Sequence, residues 1–222
     1  MAVFKAVVFD AYGTLFDLIS LNSLADELYP GKSQALCELW RRKQLEYTWL
    51  LSLMGKYRDF WSVTRLGLQY ALETLGLPMD DPKPERLLQS YLTLPTFPEV
   101  RTSLLRLSQR YPLAVLSNGT EEMLEGVIGA NHLEPYLSHV LSADAAGVYK
   151  PSSRVYDLAV GAFFAVPAEI VFVSANGWDI GGAKSFGFST AWCNRSGAVP
   201  ETHAPPPDLV VEDLEGLEAL LP

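Results

Sequence analysis

Residues 4–17 read Phe4-Lys5-Ala6-Val7-Val8-Phe9-Asp10-Ala11-Tyr12-Gly13-Thr14-Leu15-Phe16-Asp17. The short apolar run at the start, rich in Val and Phe, predicts a strand buried on both faces, as in parallel sheets. It stops at Asp10, and a carboxylate at the carboxyl end of such a strand lies where open α/β sheets bind their ligands. Gly13 allows a sharp turn directly afterwards. Thr14 then offers a hydroxyl that can orient the Asp10 carboxylate. A competing reading makes Asp10 the cap of a turn or helix, a common use of Asp.

Beyond Phe16 the periodicity becomes helical. Four helices are expected, over Leu18 to Tyr29, Ser33 to Met54, Asp59 to Leu75 and Lys83 to Leu94, broken at Pro30-Gly31, Gly55, Gly76-Leu77-Pro78 and Pro95. No strand pattern interrupts this block. It therefore reads as an all-helical unit inserted between the first strand and the next βα unit. From Pro98 onward strands and helices alternate. Helices are expected over Glu99 to Arg110, from Glu121, over Ser152 to Phe164, near Gly181 to Gly187 and at the end. Strands are expected at Leu113 to Leu116, Val140 to Ser142, Ile170 to Val173, Ser189 to Cys193 and Leu209 to Val211. Repeated βα units imply a parallel sheet with right-handed crossovers. The expected domains are an α/β core of residues 1–16 and 97–222 and a helical cap of residues 17–96. His203-Ala204-Pro205-Pro206-Pro207 reads as a stiff surface connector.

The 222 residues are 49% apolar and 19% charged, which provides a substantial core and argues against disorder. A net charge of -9, with basic residues not gathered as phosphate contacts need, argues against nucleic-acid binding. Lys5 and Asp10 interrupt any signal-peptide apolar region, and no apolar stretch is long enough to span a bilayer. Cys37 and Cys193 lack metal-type spacing, so a reduced, cytoplasmic protein is expected. His132, His139 and His203 stand near no other candidate catalytic residue in the sequence. With no G-x-S-x-G elbow, a Ser-His-Asp or Cys-His hydrolase is disfavoured.

Two further strand ends carry polar residues, and a Lys-Pro pair stands between them. Leu113 to Leu116 runs into Ser117-Asn118-Gly119-Thr120, where Ser117 and helix-start N–H groups could hold an anion. Equally, Asn118 and Glu121 could form a variant capping box. Lys150 precedes Pro151, which holds it extended. By itself such a lysine reads as a solvated surface group. Ile170 to Val173 runs into Ser174-Ala175-Asn176-Gly177-Trp178-Asp179. Asp179 is either part of a site or a favourable charge in a helix's first turn.

Taken together, VVFDAYGTLFD, LSNG, Lys150-Pro151 and SANGWD resemble the four ordered motifs of the haloacid dehalogenase superfamily, and WCNRSG after the fifth strand extends the resemblance. It implies a Rossmann-like, doubly wound α/β core with a helical cap, and makes Asp10 the nucleophile. Superfamily phosphatases carry a second Asp two positions later, as general acid/base and backbone-carbonyl ligand of Mg²⁺. Tyr12 stands there in this chain, as in the L-2-haloacid dehalogenase branch. Ser174 and Asn176 also replace acidic Mg²⁺ ligands, leaving Asp179 alone. No metal and no other cofactor is therefore expected.

The implied reaction is metal-free hydrolysis of short L-2-haloalkanoic acids to D-2-hydroxy acids through an ester on Asp10. A superfamily phosphatase and a non-catalytic anion binder are the alternatives. The resemblance implies that Lys150 and Asp179 set the charge around Asp10, while Ser174, Asn176 and Asp179 position water. Ser117 would bind the substrate carboxylate and Asn118 the departing halide. The segment WRRKQLEYTWLLSLM resembles the dehalogenase cap helix whose Arg meets the halide. That role goes to Arg41, with Arg42 in reserve. Arg41, Leu45 and Thr48 share a helical face, with Trp40 and Tyr47 on another. Tyr12, Leu45, Phe60 and Trp178 would wall the carbon part of the substrate. Tyr156 is either a further site residue or a packed aromatic. The expected partners are the halogenated acid and water, without nucleic acid or membrane; a homodimer is entertained.

Overall fold

In the structure, a computed structural model, residues 4–79 and 82–221 are described; the outermost bounds of the expected core, 1 and 222, lie outside them. The strands are β1 (Ala6–Phe9), β2 (Leu113–Ser117), β3 (His139–Ser142), β4 (Ile170–Ser174), β5 (Ser189–Cys193) and β6 (Leu209–Val211). They pair in parallel in the order β3-β2-β1-β4-β5-β6. The central strands β1, β2 and β4 are buried throughout, whereas the edge strands β3 and β6 are partly exposed. Burial on both faces accounts for the unbroken apolar runs, because helices cover each side of the sheet. From β1 the chain builds outward through β2 and β3, then returns to place β4 on the other side of β1. The reversal puts the crevice of the sheet at the carboxyl ends of β1 and β4, where Asp10 and Ser174 stand.

Between β1 and β2 lie α1 (Leu21–Leu28), α2 (Ser33–Leu53), α3 (Phe60–Thr74) and α4 (Lys83–Ser90). The expected helix from Leu18 instead begins as a 3-10 turn, Leu18–Ser20, capped by Asp17. The remaining helices are α5 (Val100–Ser108), α6 (Glu121–Ala130), α7 (Ser153–Phe163), α8 (Gly177–Phe186) and α9 (Leu214–Leu220). α8 starts four residues before the expected Gly181. Its three glycines weaken helix propensity, but its backbone is held by tertiary packing against β4 and β5. None of the helices described is long and apolar enough to cross a membrane.

The chain leaves and re-enters the sheet domain side by side. Asp17 N–H donates to the Pro95 carbonyl at 2.8 Å and Phe97 N–H to the Leu15 carbonyl at 3.2 Å. On α2, Trp40, Gln44 and Thr48 are buried together. Trp40 thus shares a face with Thr48, contrary to the expected partition. Tertiary contacts decide this: its indole N–H donates to the Thr64 carbonyl on α3 at 2.8 Å, and Gln44 donates to the Thr64 hydroxyl at 2.6 Å.

Candidate active site

β1 delivers Asp10 to the crevice almost fully buried. Both carboxylate oxygens are engaged, but unequally. Oδ1 accepts from Lys150 Nζ at 3.1 Å. Oδ2 accepts from Thr14 Oγ1 at 2.9 Å, Asn176 Nδ2 at 2.9 Å and Ser174 Oγ at 3.4 Å. Asp10 caps neither helix nor turn. The tight turn after it depends on Gly13, at φ +88°, a conformation that suits residues without a side chain. Thr14 Oγ1 also accepts from Ala175 N–H at 2.9 Å, so one hydroxyl ties the β1 turn to the β4 turn.

Lys150 is buried between two carboxylates, 3.1 Å from Asp10 and 2.8 Å from Asp179 Oδ2. Burial pulls its ammonium pKa down, but the two carboxylates outweigh burial and raise it. Asp179, in the first turn of α8, is fully buried; burial and the charge of Asp10 push its carboxyl up to about 6 against the pull of Lys150. Asp179 Oδ1 accepts the Tyr156 hydroxyl at 2.7 Å. Tyr156 itself packs among Phe172, Phe186 and Phe188. Its hydroxyl donates to Asp179, so it supports that carboxylate while its ring packs in the core.

Asn118 does not cap α6. Thr120 does, accepting from Met123 N–H at 3.1 Å. Asn118 Oδ1 instead accepts the Lys150 backbone N–H at 3.0 Å, joining the β2 turn to the lysine. Ser117 is buried at the end of β2, its hydroxyl accepting Gly119 N–H at 3.1 Å. Gly119 went unnoticed in the sequence. A Cβ there would lie 2.9 Å from the Tyr12 ring, so the position must stay bare for that ring to settle.

The opposite wall comes from the helical insertion. Phe60, at the start of α3, stacks on Tyr12 with centroids 6.0 Å apart, and Tyr91 tilts against Tyr12 at 5.7 Å. Tyr91 also meets the Trp40 edge at 5.1 Å. Burial drives the Tyr12 phenol far above its ordinary pKa and the Tyr91 phenol up to about 12; in both, the nearby Arg41 cation pulls the other way. Arg41 is half-buried and donates to Gln44 Oε1 at 2.6 Å, while Arg42 is exposed. The structure thereby separates the two arginines: Arg41, tied to Gln44, lies near enough to Tyr12 and Tyr91 for its charge to act on their phenols. Gln44 and Tyr91 had no recognisable signal in the sequence. The Tyr12 hydroxyl is buried without a hydrogen-bond partner. Leu45 is half-buried one turn beyond Arg41.

Trp178 meets the edge of Trp49 at 5.6 Å. Both line a cavity of about 760 Å³ with Lys150, Glu201 and His203. His203, remote in sequence from every candidate, thus reaches the neighbourhood of Lys150 through the folding back of its loop. Among the described residues, no three His, Cys, Asp or Glu side chains converge as a metal site would require. An ammonium already lies between the two carboxylates.

Residues 4–187 match the family model described as haloacid dehalogenase-like hydrolase. The chain is 42% identical to a (S)-2-haloacid dehalogenase of Pseudomonas sp. (strain YL), over 99% of this chain and 95% of the relative. It is 40% identical to haloacetate dehalogenase H-2 of Moraxella sp. (strain B), over 100% and 99%. It is also similar to the solved structure of L-2-haloacid dehalogenase from Xanthobacter autotrophicus with chloropropionic acid covalently bound. That match has a TM-score of 0.92 and 41% identity, and covers 98% of each chain.

Proposed function

This chain belongs to the haloacid dehalogenase-like hydrolases, and from that membership we propose that it hydrolyses short L-2-haloalkanoic acids to D-2-hydroxy acids through a covalent ester on Asp10. The unequal engagement of the two Asp10 oxygens is the observation that carries this reading. Oδ1 has Lys150 as its partner and is the oxygen able to attack the halogen-bearing carbon, expelling halide as the new C–O bond forms. Oδ2, held by Thr14, Asn176 and Ser174, becomes the ester carbonyl oxygen. Those donors are already aimed where negative charge develops when water attacks that carbonyl. Water adds to the Asp10 carbonyl carbon, the ester C–O bond breaks on the carboxylate side, and the 2-hydroxy acid leaves with an oxygen that began on Asp10.

The first step brings two anions together. At ~4 Å and an effective dielectric near 20 their repulsion is about 4 kcal/mol. Lys150 offsets it at the nucleophile and Arg41 at the substrate end. Arg41 and the unpartnered Tyr12 hydroxyl form a donor pair for the departing halide, with Asn118 at the rim. Ser117 and the N–H groups that open α6 take the substrate carboxylate. Leu45, Phe60, Tyr12 and Trp178 enclose the carbon chain. Asp179 and Asn176 hold the hydrolytic water, and Tyr156 steadies Asp179. Residues 17–96 act as a cap over the core of 1–16 and 97–222 and exclude water while the ester forms. The reaction proceeds without metal, because the ammonium of Lys150 supplies the positive charge between the carboxylates.

Two broader expectations belong to the same reading. The apolar groove of about 420 Å³ on the outer side of α2 and α3, lined by Tyr47, Leu50, Met54 and Tyr70, suits self-association as a homodimer. The free thiols of Cys37 and Cys193 suit a reducing, cytoplasmic setting.

A single turnover of L-2-chloropropionate with excess enzyme in ¹⁸O water, in the presence of a chelator, tests the chemistry. Unlabelled 2-hydroxy acid and one labelled oxygen in the peptide containing Asp10 are expected. Label appearing directly in the product would reassign Asp10 to a general base. Loss of turnover restored specifically by Mg²⁺ would overturn the metal-free reading.

A further inference from the structure

The WCNRSG segment, Trp192 to Gly197, stands outside the chemistry described so far. It leaves the end of β5 and is held firmly. Trp192 Nε1 donates to the Ala175 carbonyl at 3.1 Å, Asn194 N–H donates to the Val211 carbonyl at 2.7 Å, and Asn194 Oδ1 accepts Ala198 N–H at 2.8 Å. From this anchored loop Arg195 reaches across to the place where the chain passes out to the helical insertion and back. Its Nη2 donates to the Thr14 carbonyl, in the outgoing turn, at 3.1 Å. Its guanidinium lies 4.0 Å from the ring centroid of Phe97, on the returning segment. Its Nη1 is 2.5 Å from Glu99 Oε1, touching as an ion pair without hydrogen-bond alignment.

We propose that Arg195 is a positioning residue for the nucleophile, clamping the outgoing and returning segments and, through Thr14, fixing the Asp10 carboxylate for attack. The inference rests on the reading of Asp10 as nucleophile. Its steps are each a contact. Arg195 fixes the Thr14 carbonyl; the Thr14 backbone sets where its hydroxyl sits; and that hydroxyl donates to Asp10 Oδ2 at 2.9 Å. The β4 turn closes the loop, since Ala175 N–H donates to the same hydroxyl and the Ala175 carbonyl receives Trp192, three residues before Arg195. The nucleophile turn is therefore held by β4, by β5 and by the returning segment together. A planar guanidinium suits this place because one rigid group can donate, pair and stack at once, which an ammonium cannot.

The test is a double-mutant cycle on ester formation, followed by rapid quench in single turnovers of L-2-chloropropionate. Arg195→Met should slow ester formation about tenfold, with the substrate concentration at half-maximal rate changed less than about twofold. Arg195→Lys, which keeps a cation for Glu99, should fall between that variant and the parent. In combination with Thr14→Ala, Arg195→Met should add less than about a further twofold, because the hydroxyl through which it acts is already gone. Near-UV circular dichroism verifies that each variant is folded. A parental rate in Arg195→Met, or losses that multiply with Thr14→Ala, would overturn the proposal. So would failure of both Arg195 variants to fold, which would make Arg195 a folding residue only. Absence of ester in the unmodified protein would instead overturn the reading of Asp10, and this inference with it.

Discussion

The two walls of the crevice are built by opposite means. The core wall is a polar lattice in which the side-chain oxygens of Asp10 and Asp179 and the Lys150 ammonium are all engaged within one to three residues of a strand end or helix start. The other wall is a stack of rings in which Phe60 and Tyr91 of the helical insertion pack on Tyr12 of the β1 turn and Trp40 packs on Tyr91, with Arg41 nearby and the Tyr12 hydroxyl unpartnered. The first arrangement is rigid because any missing partner leaves a buried charge or dipole exposed to a low dielectric. The second is tolerant because its contacts are dispersion and shape. The core wall is therefore sensitive to the loss of any one polar group, and the aromatic stack to changes of shape.

The sharpest break in this comparison is Lys150→Met. Removing the ammonium leaves Asp10 and Asp179 facing one another without compensation, and unfolding free energy should drop by roughly 3–5 kcal/mol. Halide release should fall by about 10³-fold or more. Urea unfolding and a halide assay read the two effects; a variant of parental stability would show that the core wall is not a mutually dependent lattice.

Arg41→Lys comes next. It keeps the charge but not the planar fork, and kcat should fall about 10²-fold. Arg42→Ala, on the exposed side of the same helix, should leave kcat and stability unchanged within about 0.5 kcal/mol. Reversed results would move the halide to the other arginine.

The pH dependence should then distinguish the walls, because the carboxyl of Asp179 is held up to about 6. If ionised Asp179 is required, kcat/KM should drop about tenfold between pH 7 and pH 5. Stability should move oppositely. The unfolded carboxyl releases its proton near 3.8, so between there and about 6 the native state holds a proton that the unfolded state has lost. Stability is thus lost as pH rises through that window. Asp179→Asn should remove this slope in thermal melts; persistence of the slope would assign it to another group.

The smallest effect belongs to Phe60→Leu. Losing its stacking with Tyr12 and Tyr149 should cost about 1 kcal/mol of stability. Activity on a series of chloroacetate, 2-chloropropionate and 2-chlorobutyrate should shift toward the longer acids. An equal fall across the series would mean that the aromatic wall contributes to the chemical step after all.

Part of the core wall was legible beforehand, because several of its groups directly follow a short apolar run. Asp10 after VVF, Ser117 and Asn118 after LAVL, and Ser174 after IVFV are all strand-end residues, and the buried parallel strands that carry them are self-evident in composition. What each polar group binds was not legible. Asn118 as partner of the Lys150 backbone and Tyr156 as partner of Asp179 join residues 32 and 23 positions apart in the chain. The helical wall was harder still. Trp40 was placed on the wrong face of α2 because periodicity alone cannot say which of two apolar stripes faces Thr64.

By itself, then, the order of residues determined the α/β alternation and the inserted helices, through local periodicity and the short apolar runs that suit a buried strand, and it singled out Asp10, Lys150 and Asp179 as candidates through their resemblance to the superfamily motifs. Tertiary structure decided which oxygen of Asp10 is left with a single partner, that Arg41 is half-buried near Tyr12 while Arg42 is exposed, that Gly119 must lack a side chain and that Arg195 reaches Thr14. Each of those is a distance across elements far apart in the chain, set by how the sheet crevice and the helical insertion pack, and no local pattern encodes such a distance.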